Sequence, residues 1–227
     1  MTQYQLIKTT NYLSPNLFYN KFLFWLVRLQ PFVEESGRPP MKADEFVRLF
    51  RLLYGSGLRV SEALSLRKKD FDLNHRLLTI PKAKTGYNQR TTILPYDIPV
   101  IEKQLDSLSK DDYVFNVNRH LVWQYGKDAG NLAGLQIGEI QSKKTIDGVW
   151  NHLLRKSCSK RMRDMGASRE LAMVKLRHVN VGAHDTYDRP DLNALLNWED
   201  KHFSTIQSFS NEMLTQPIYP IVEEEKK

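Results

Sequence analysis

Two short runs suited to strands, Leu77 to Ile80 and Thr91 to Leu94, stand in a chain whose other apolar residues mostly repeat at helical spacing. A polar loop containing Lys84, Gly86 and Asn88 separates them and Pro95 closes the second, so the pair reads as one β-hairpin with a basic tip. Before it, Phe46, Leu49, Phe50 and Leu53 fall on one face of a helix over Lys42 to Tyr54, which Gly55-Ser56-Gly57 ends. A shorter helix through Arg59 to Leu66 puts Val60, Ala63 and Leu64 on one side and Arg59 with Glu62 on another. Asp70-Phe71-Asp72 and Asn74 supply a turn.

After the hairpin the pattern predicts a helix over Ile98 to Leu108, and Tyr113-Val114-Phe115 suits one more short strand. Leu121 to Leu135 stays ambiguous, because Gly126, Gly130 and Gly134 weaken a long helix. From Thr145 helical spacing returns: Val149, Trp150, Leu153 and Leu154 form an apolar stripe, with His152 and Arg155 one turn apart beside it. Gly166 ends this helix and Ser168 can cap the next. A further helix leads to Tyr187, Pro190 interrupts it, and residues 191–214 read as a terminal helix. The expected fold is mainly α with a small antiparallel β-hairpin or sheet (α+β).

The organisation predicted is a leader over 1–40, a main domain over 41–190, and a C-terminal helix and tail over 191–227. Ser36-Gly37-Arg38-Pro39-Pro40 sets the first boundary. The leader is either a helix packed on the main body or the remnant of a larger module. Thirty-three Lys and Arg against 26 Asp and Glu give a net charge of +7, an excess that suits a polyanionic partner by counterion release. The single cysteine, Cys158, forbids an intrachain disulfide and argues against a cysteine-held zinc; half-buried packing is its expected role. The apolar run Phe22 to Val27 is too short to cross a bilayer and no secretory signal pattern is visible, so an intracellular protein without membrane contact is the expectation.

Certain polar residues together suit chemistry on a phosphodiester. Such a bond needs a nucleophile, charge neutralisation at the non-bridging oxygens, and a proton for the leaving alkoxide. Arg59 and Arg155, on separate helices, can grip one phosphate from two sides, because a planar guanidinium stays charged and matches phosphate oxygens. Lys84 on the hairpin tip can deliver a proton. Tyr187 can form a phosphotyrosine that conserves the energy of the broken bond, so resealing needs no metal and no nucleotide. Singly each has an ordinary explanation: a helix-surface pair for Arg59 and Glu62, a core-edge histidine for His152, a solvated lysine for Lys84, a packed aromatic for Tyr187.

As an ordered set they resemble the tyrosine recombinase, or phage integrase-like, family. Gly57-Leu58-Arg59-Val60-Ser61-Glu62-Ala63-Leu64 is similar to the family's first arginine box. Lys82-Ala83-Lys84-Thr85-Gly86 resembles its catalytic-lysine turn, and His152-Leu153-Leu154-Arg155 its H-x-x-R box. Leu176-Arg177-His178, with Tyr187 nine residues on, resembles the final histidine and nucleophile. The resemblance covers residues 41–190 and implies a recombinase catalytic domain that cleaves and rejoins double-stranded DNA without a cofactor or metal. It implies Tyr187 as nucleophile forming a 3′-phosphotyrosyl link, and Arg59, Arg155 and His178 on the non-bridging oxygens. Lys84 becomes the general acid, His152 handles the tyrosine proton, and Glu62 supports its neighbours. Two alternatives share the residues: a type IB topoisomerase-like relaxase, and a DNA-binding relative that no longer recombines.

The chain departs from the family pattern in two places. Arg177 stands where the family usually has glycine, as an added phosphate contact or a tolerated cation. Only about 40 residues precede the catalytic region, where the family usually has a helical core-binding domain. The expectation is therefore an isolated catalytic domain, a minimal recombinase, or a fragment that works beside another polypeptide. Lys68, Lys69, Lys82, Arg90, Lys143, Lys144, Lys160, Arg161, Arg163 and Arg177 are candidate backbone contacts, which would position DNA without reading its sequence. The terminal helix either docks into a neighbouring subunit, giving a homo-oligomer (a tetramer on DNA), or packs on its own domain. A cytoplasmic or nucleoid-associated location follows from the resemblance.

Overall fold

Helix α1 (Leu23–Arg28) and helix α2 (Ala43–Ser56) pack together at the centre of the computed structural model, which describes residues 12–15, 17–28, 43–81, 89–133, 149–178 and 191–203. Asp44 and Glu45 lie in the first turn of α2, where the helix dipole favours negative charge. Phe46, Leu49, Phe50 and Leu53 are buried as their spacing predicted, but so are Val47, Leu52 and Tyr54, because α2 is covered on more than one side. The described leader supplies part of that cover. It includes a π-helical segment, Leu17–Phe22. Phe18, Phe22, Leu23 and Leu26 are buried, and the Phe18 ring stacks on Tyr54 at 3.9 Å between centroids. Each such side chain contributes about 1.5–3 kcal/mol by leaving water. The Tyr54 hydroxyl donates to the Leu13 carbonyl oxygen at 3.1 Å, so this part of the leader is built into the body.

Helix α3 (Val60–Leu64) follows, then a three-stranded antiparallel sheet in the order β1 (Phe71–Asp72), β2 (Leu77–Ile80), β3 (Gln89–Thr92). The sheet corrects two expectations. Phe71 and Asp72 pair with Leu78 and Leu77 instead of forming the turn, which falls just after them and includes Arg76 at φ 54°. β3 begins two positions earlier than read: Gln89 pairs with Ile80, while Ile93 and Leu94 leave the ladder for the core. Among the described residues Tyr113 forms only an isolated bridge with Arg67, and no strand is seen over Tyr113 to Phe115.

Helix α4 is Ile98–Leu105, and the ambiguous stretch is helix α5 (Arg119–Leu132). The Asn118 side chain caps α5 by accepting the Leu121 N–H at 2.8 Å. Val122, Tyr125, Gly126, Ala129 and Gly130 are buried on it, so packing outweighs the poor helix propensity of glycine. Helix α6 (Val149–Asp164), helix α7 (Arg169–Leu176) and helix α8 (Leu192–Phe203) complete the described chain. Cys158 is fully buried rather than half-buried.

α8 packs on its own domain. Lys175 of α7 donates from Nζ to Glu199 Oε1 of α8 at 2.7 Å, and to Thr92 Oγ1 and O of β3 at 2.7 and 3.0 Å. Lys175 and Glu199 are each about 1% exposed, and Arg76 adds an ion pair to Asp200 at 2.7 Å. The hairpin tip, the segment between His178 and Asp191, and the expected continuation of the terminal helix to 214 lie outside the described residues.

Candidate active site

The first candidate residue is placed by a glycine. Gly57 adopts φ +61°, which glycine reaches without a Cβ clash, and a Cβ there would lie 2.5 Å from Leu176 Cδ2. The missing side chain lets the loop before α3 touch the end of α7. Arg59 follows immediately, and its backbone N–H donates to Glu62 Oε2 at 2.8 Å while its Nη1 donates to Glu62 Oε1 at 2.6 Å. Its side chain remains 47% exposed, so the guanidinium keeps a face toward solvent.

Arg155, on α6, is buried and spans the same contact from below. Its Nη1 donates to the Gly57 carbonyl oxygen at 2.5 Å, and its Nη2 to the Leu176 carbonyl oxygen. One guanidinium thus ties the arginine loop to the end of α7. Burial, and then the neighbouring charges of Arg177 and Arg59, lower its pKa to about 10, against the opposing pull of Glu62. It remains a cation at neutral pH.

α7 ends in a Schellman motif. The His178 N–H donates to Met173 O at 3.0 Å and the Arg177 N–H to Val174 O at 3.0 Å, with Arg177 left-handed at φ 56°. A side chain in that conformation costs about 1–2 kcal/mol relative to the right-handed region. The turn projects Arg177 back onto α3, where its Nη2 donates to Glu62 Oε2 at 2.7 Å with only 3% of the side chain exposed. Burial would raise the Glu62 pKa, but the Arg177 charge and the Arg59 hydrogen bonds outweigh it and hold the carboxyl below its usual range. His178 keeps an exposed surface. Lost hydration, then Arg155, Arg59 and Arg177, push its pKa below the usual imidazole value.

Arg59, Glu62, Arg155, Arg177 and His178 therefore form one electrostatically coupled cluster, assembled from the α2–α3 loop, α3, α6 and the end of α7. His152 lies on α6 three positions before Arg155, with its side chain outside the described residues, as are Lys84 and Tyr187. The Glu62–Arg177 bridge was not foreseen in the sequence; the one signal was an arginine where a glycine was expected.

The candidate DNA contacts separate. Arg90 and Arg163 are exposed, Lys69 pairs with Asp111 at 2.6 Å, and Lys68 donates to Leu108 O at 2.8 Å. Lys160 pairs with Asp164 beside the Tyr12 ring. Arg161 does not reach the surface: it is 3% exposed, its guanidinium lying 4.7 Å from the Tyr54 ring centroid and 5.1 Å from that of Phe203. That helix position faces the aromatic core, which a basic sequence pattern does not reveal. Arg177 is likewise engaged inside the protein. Lys82, Lys143 and Lys144 lie outside the described residues. Among the described residues no group of three His, Cys, Asp or Glu is placed to hold a metal ion, and no helix is long and apolar enough to cross a membrane.

The model of the phage integrase family matches residues 38–193, spanning every element of the cluster. The chain belongs to the phage integrase family. Among similar members, tyrosine recombinase XerA of Thermococcus onnurineus (strain NA1) is 26% identical over 173 residues, covering 72% of this chain and 56% of that protein. Type 1 fimbriae regulatory protein FimE of Escherichia coli (strain K12) is 25% identical over 145 residues, covering 59% and 68%. This phage integrase family chain spans about half the length of the XerA relatives it matches, 56% in both Thermococcus proteins. Its fold is shared with the XerH site-specific recombinase bound to palindromic difH substrate, at TM-score 0.55 and 20% identity over 86% of this chain and 53% of that one. The integrase from mycobacterium phage Brujita gives TM-score 0.52 at 14% identity, over 80% and 71%.

Proposed function

We propose that this chain cleaves and rejoins double-stranded DNA through a 3′-phosphotyrosyl intermediate on Tyr187, as a site-specific tyrosine recombinase or integrase. The observation that carries the reading is the convergence of Arg59, Arg155 and His178, far apart in sequence, around the α3–α7 contact. Three guanidinium groups share this cluster with one carboxylate, so a bound phosphodiester meets net positive charge. Arg59 and Arg155 stabilise the charge that builds on the non-bridging oxygens in the transition state. His178 donates a hydrogen bond to the same oxygens. Its lowered pKa keeps it neutral until an anion arrives, and the anion then favours its protonation.

Tyr187 attacks phosphorus, Lys84 protonates the departing 5′-oxygen, and His152 handles the tyrosine proton. Glu62 holds Arg59. Exposed Arg90 and Arg163, together with Lys82, Lys143 and Lys144, contact the DNA backbone. The chain acts as a homo-oligomer, a tetramer on DNA: the XerH complex holds a palindromic substrate, and a palindrome is matched by symmetry-related copies. No metal enters the proposed chemistry.

The test is incubation with nicked suicide duplexes carrying a candidate site, with and without EDTA. A detergent-resistant protein–DNA adduct is expected in both conditions and is lost in Tyr187→Phe while DNA binding persists. An adduct that survives Tyr187→Phe removes the tyrosine from the mechanism.

A further inference from the structure

We propose that Arg177 is a positioning residue for DNA cleavage, compensating the charge of Glu62 so that Arg59 meets the phosphate as a cation. The proposal rests on the cleavage reading above. Glu62 accepts two hydrogen bonds from Arg59, one from its backbone and one from its guanidinium. These contacts fix Arg59 but also oppose its charge, since a carboxylate and a guanidinium at hydrogen-bond distance nearly cancel when viewed from a third site. Arg177 binds the same Glu62 oxygen that receives the Arg59 N–H, at 2.7 Å. The carboxylate is thereby shared between two cations, and the exposed face of Arg59 keeps its attraction for an anion.

The same bond has a geometric effect. Arg177 sits in the turn that carries His178, and Glu62 sits on the helix whose first turn follows Arg59. The Glu62–Arg177 bridge therefore sets the spacing between two groups that act on one phosphate. Its local costs support a functional role. Arg177 holds a left-handed conformation that glycine adopts freely, and among the described residues its buried Nε has no hydrogen-bond partner. Glycine would end the helix at neither cost.

The decisive measurement is a double-mutant cycle on adduct formation, with Arg177→Gly, Arg177→Lys, Glu62→Gln, and Arg177→Gly with Glu62→Gln. Glycine suits φ +56°, so Arg177→Gly keeps the helix end, and Arg177→Lys retains the charge if glycine loosens the fold. Arg177→Gly is expected to slow cleavage on the order of 10- to 100-fold, with Arg177→Lys in between. Removing the Glu62 charge as well should recover about threefold or more of that loss. Independent of DNA, the His178 imidazole titration followed by NMR should move upward in Arg177→Gly, because a nearby cation is gone and Glu62 is less compensated. A double variant no faster than Arg177→Gly, or an unmoved His178 titration, overturns the proposal. If the unaltered chain forms no adduct, the cleavage reading fails instead, and the titration still decides what Arg177 does to the cluster.

Discussion

Arg155 and Arg161 lie on one helix, both buried, yet their surroundings are opposite in character. Around Arg155 are cations: Arg59 and Arg177 help lower its pKa, and two backbone carbonyl oxygens fix its fork. Around Arg161 are phenols and rings. It hydrogen-bonds to the Tyr96 hydroxyl at 3.2 Å, and although burial opposes its charge, Tyr96 and Tyr54 raise its pKa well above the usual value. A cation crowded by cations is poised for an incoming anion. A cation wrapped in aromatic faces has its charge satisfied internally. Location on a helix says little about which of these an arginine is; the partners brought by other elements decide it.

The largest expected effect would break this contrast if it failed. Arg155→Ala should slow cleavage by about 10²- to 10³-fold, the typical loss for one donor aimed at transition-state charge. Single-turnover kinetics on a suicide duplex reads it directly, and an unchanged rate would remove Arg155 from the mechanism. Arg161→Met should leave the cleavage rate per folded molecule near that of the unaltered chain. It should change stability by no more than about 1 kcal/mol, since a buried cation exchanged for an apolar group of similar length is often neutral or better. Urea denaturation checks this; a loss of several kcal/mol would mean that the rings depend on the charge.

A smaller effect separates the two helix ends that flank α7. Gly166 at φ +84° closes α6 with the same pattern of hydrogen bonds that Arg177 makes at the end of α7. Among the described residues a Cβ at Gly166 would meet nothing within 4 Å, so Gly166→Ala tests conformation and should cost about 1 kcal/mol. At Arg177 the same comparison mixes backbone relief with loss of the Glu62 bond.

The smallest effect is on pH. The His178 pKa is depressed in the folded state, so the folded chain binds fewer protons there than the unfolded chain between the two pKa values. This contribution to stability is present above the unfolded pKa of about 6.5 and is lost as pH falls through the folded value. Glu62, also depressed, adds the same sign at more acid pH, below its unfolded value. Thermal unfolding at stepped pH should show a decline below neutrality that is shallower in His178→Asn. An identical slope would mean that the imidazole is not perturbed in the folded chain.

Much of this was legible from the residues. The apolar stripe of α2, the strand Leu77–Ile80, the Gly166 stop and the Ser168 cap depend on neighbours a few positions away, and periodicity or turn chemistry registers them. Where packing opposed local preference, the reading faltered. Helix α5 keeps its glycines because that face is buried; Tyr113 has the composition of a strand but, among the described residues, a single bridge to pair with. Arg59, Glu62, Arg155 and His178 could be named as candidates because their ordered motifs resemble the family's, and the structure brings the four together. The core placement of Arg161 and the Glu62–Arg177 bridge were not, because each is a contact between elements distant in the chain.

The sequence by itself determined the helix–hairpin–helix order, the family and the kinds of side chain available, because these are properties of spacing and composition. Only the tertiary structure decided which cations share a carboxylate, which hide among rings and which stay open to an anion. An arginine's free energy depends on the charges and the water around its guanidinium, and those come from wherever the fold brings other segments of the chain.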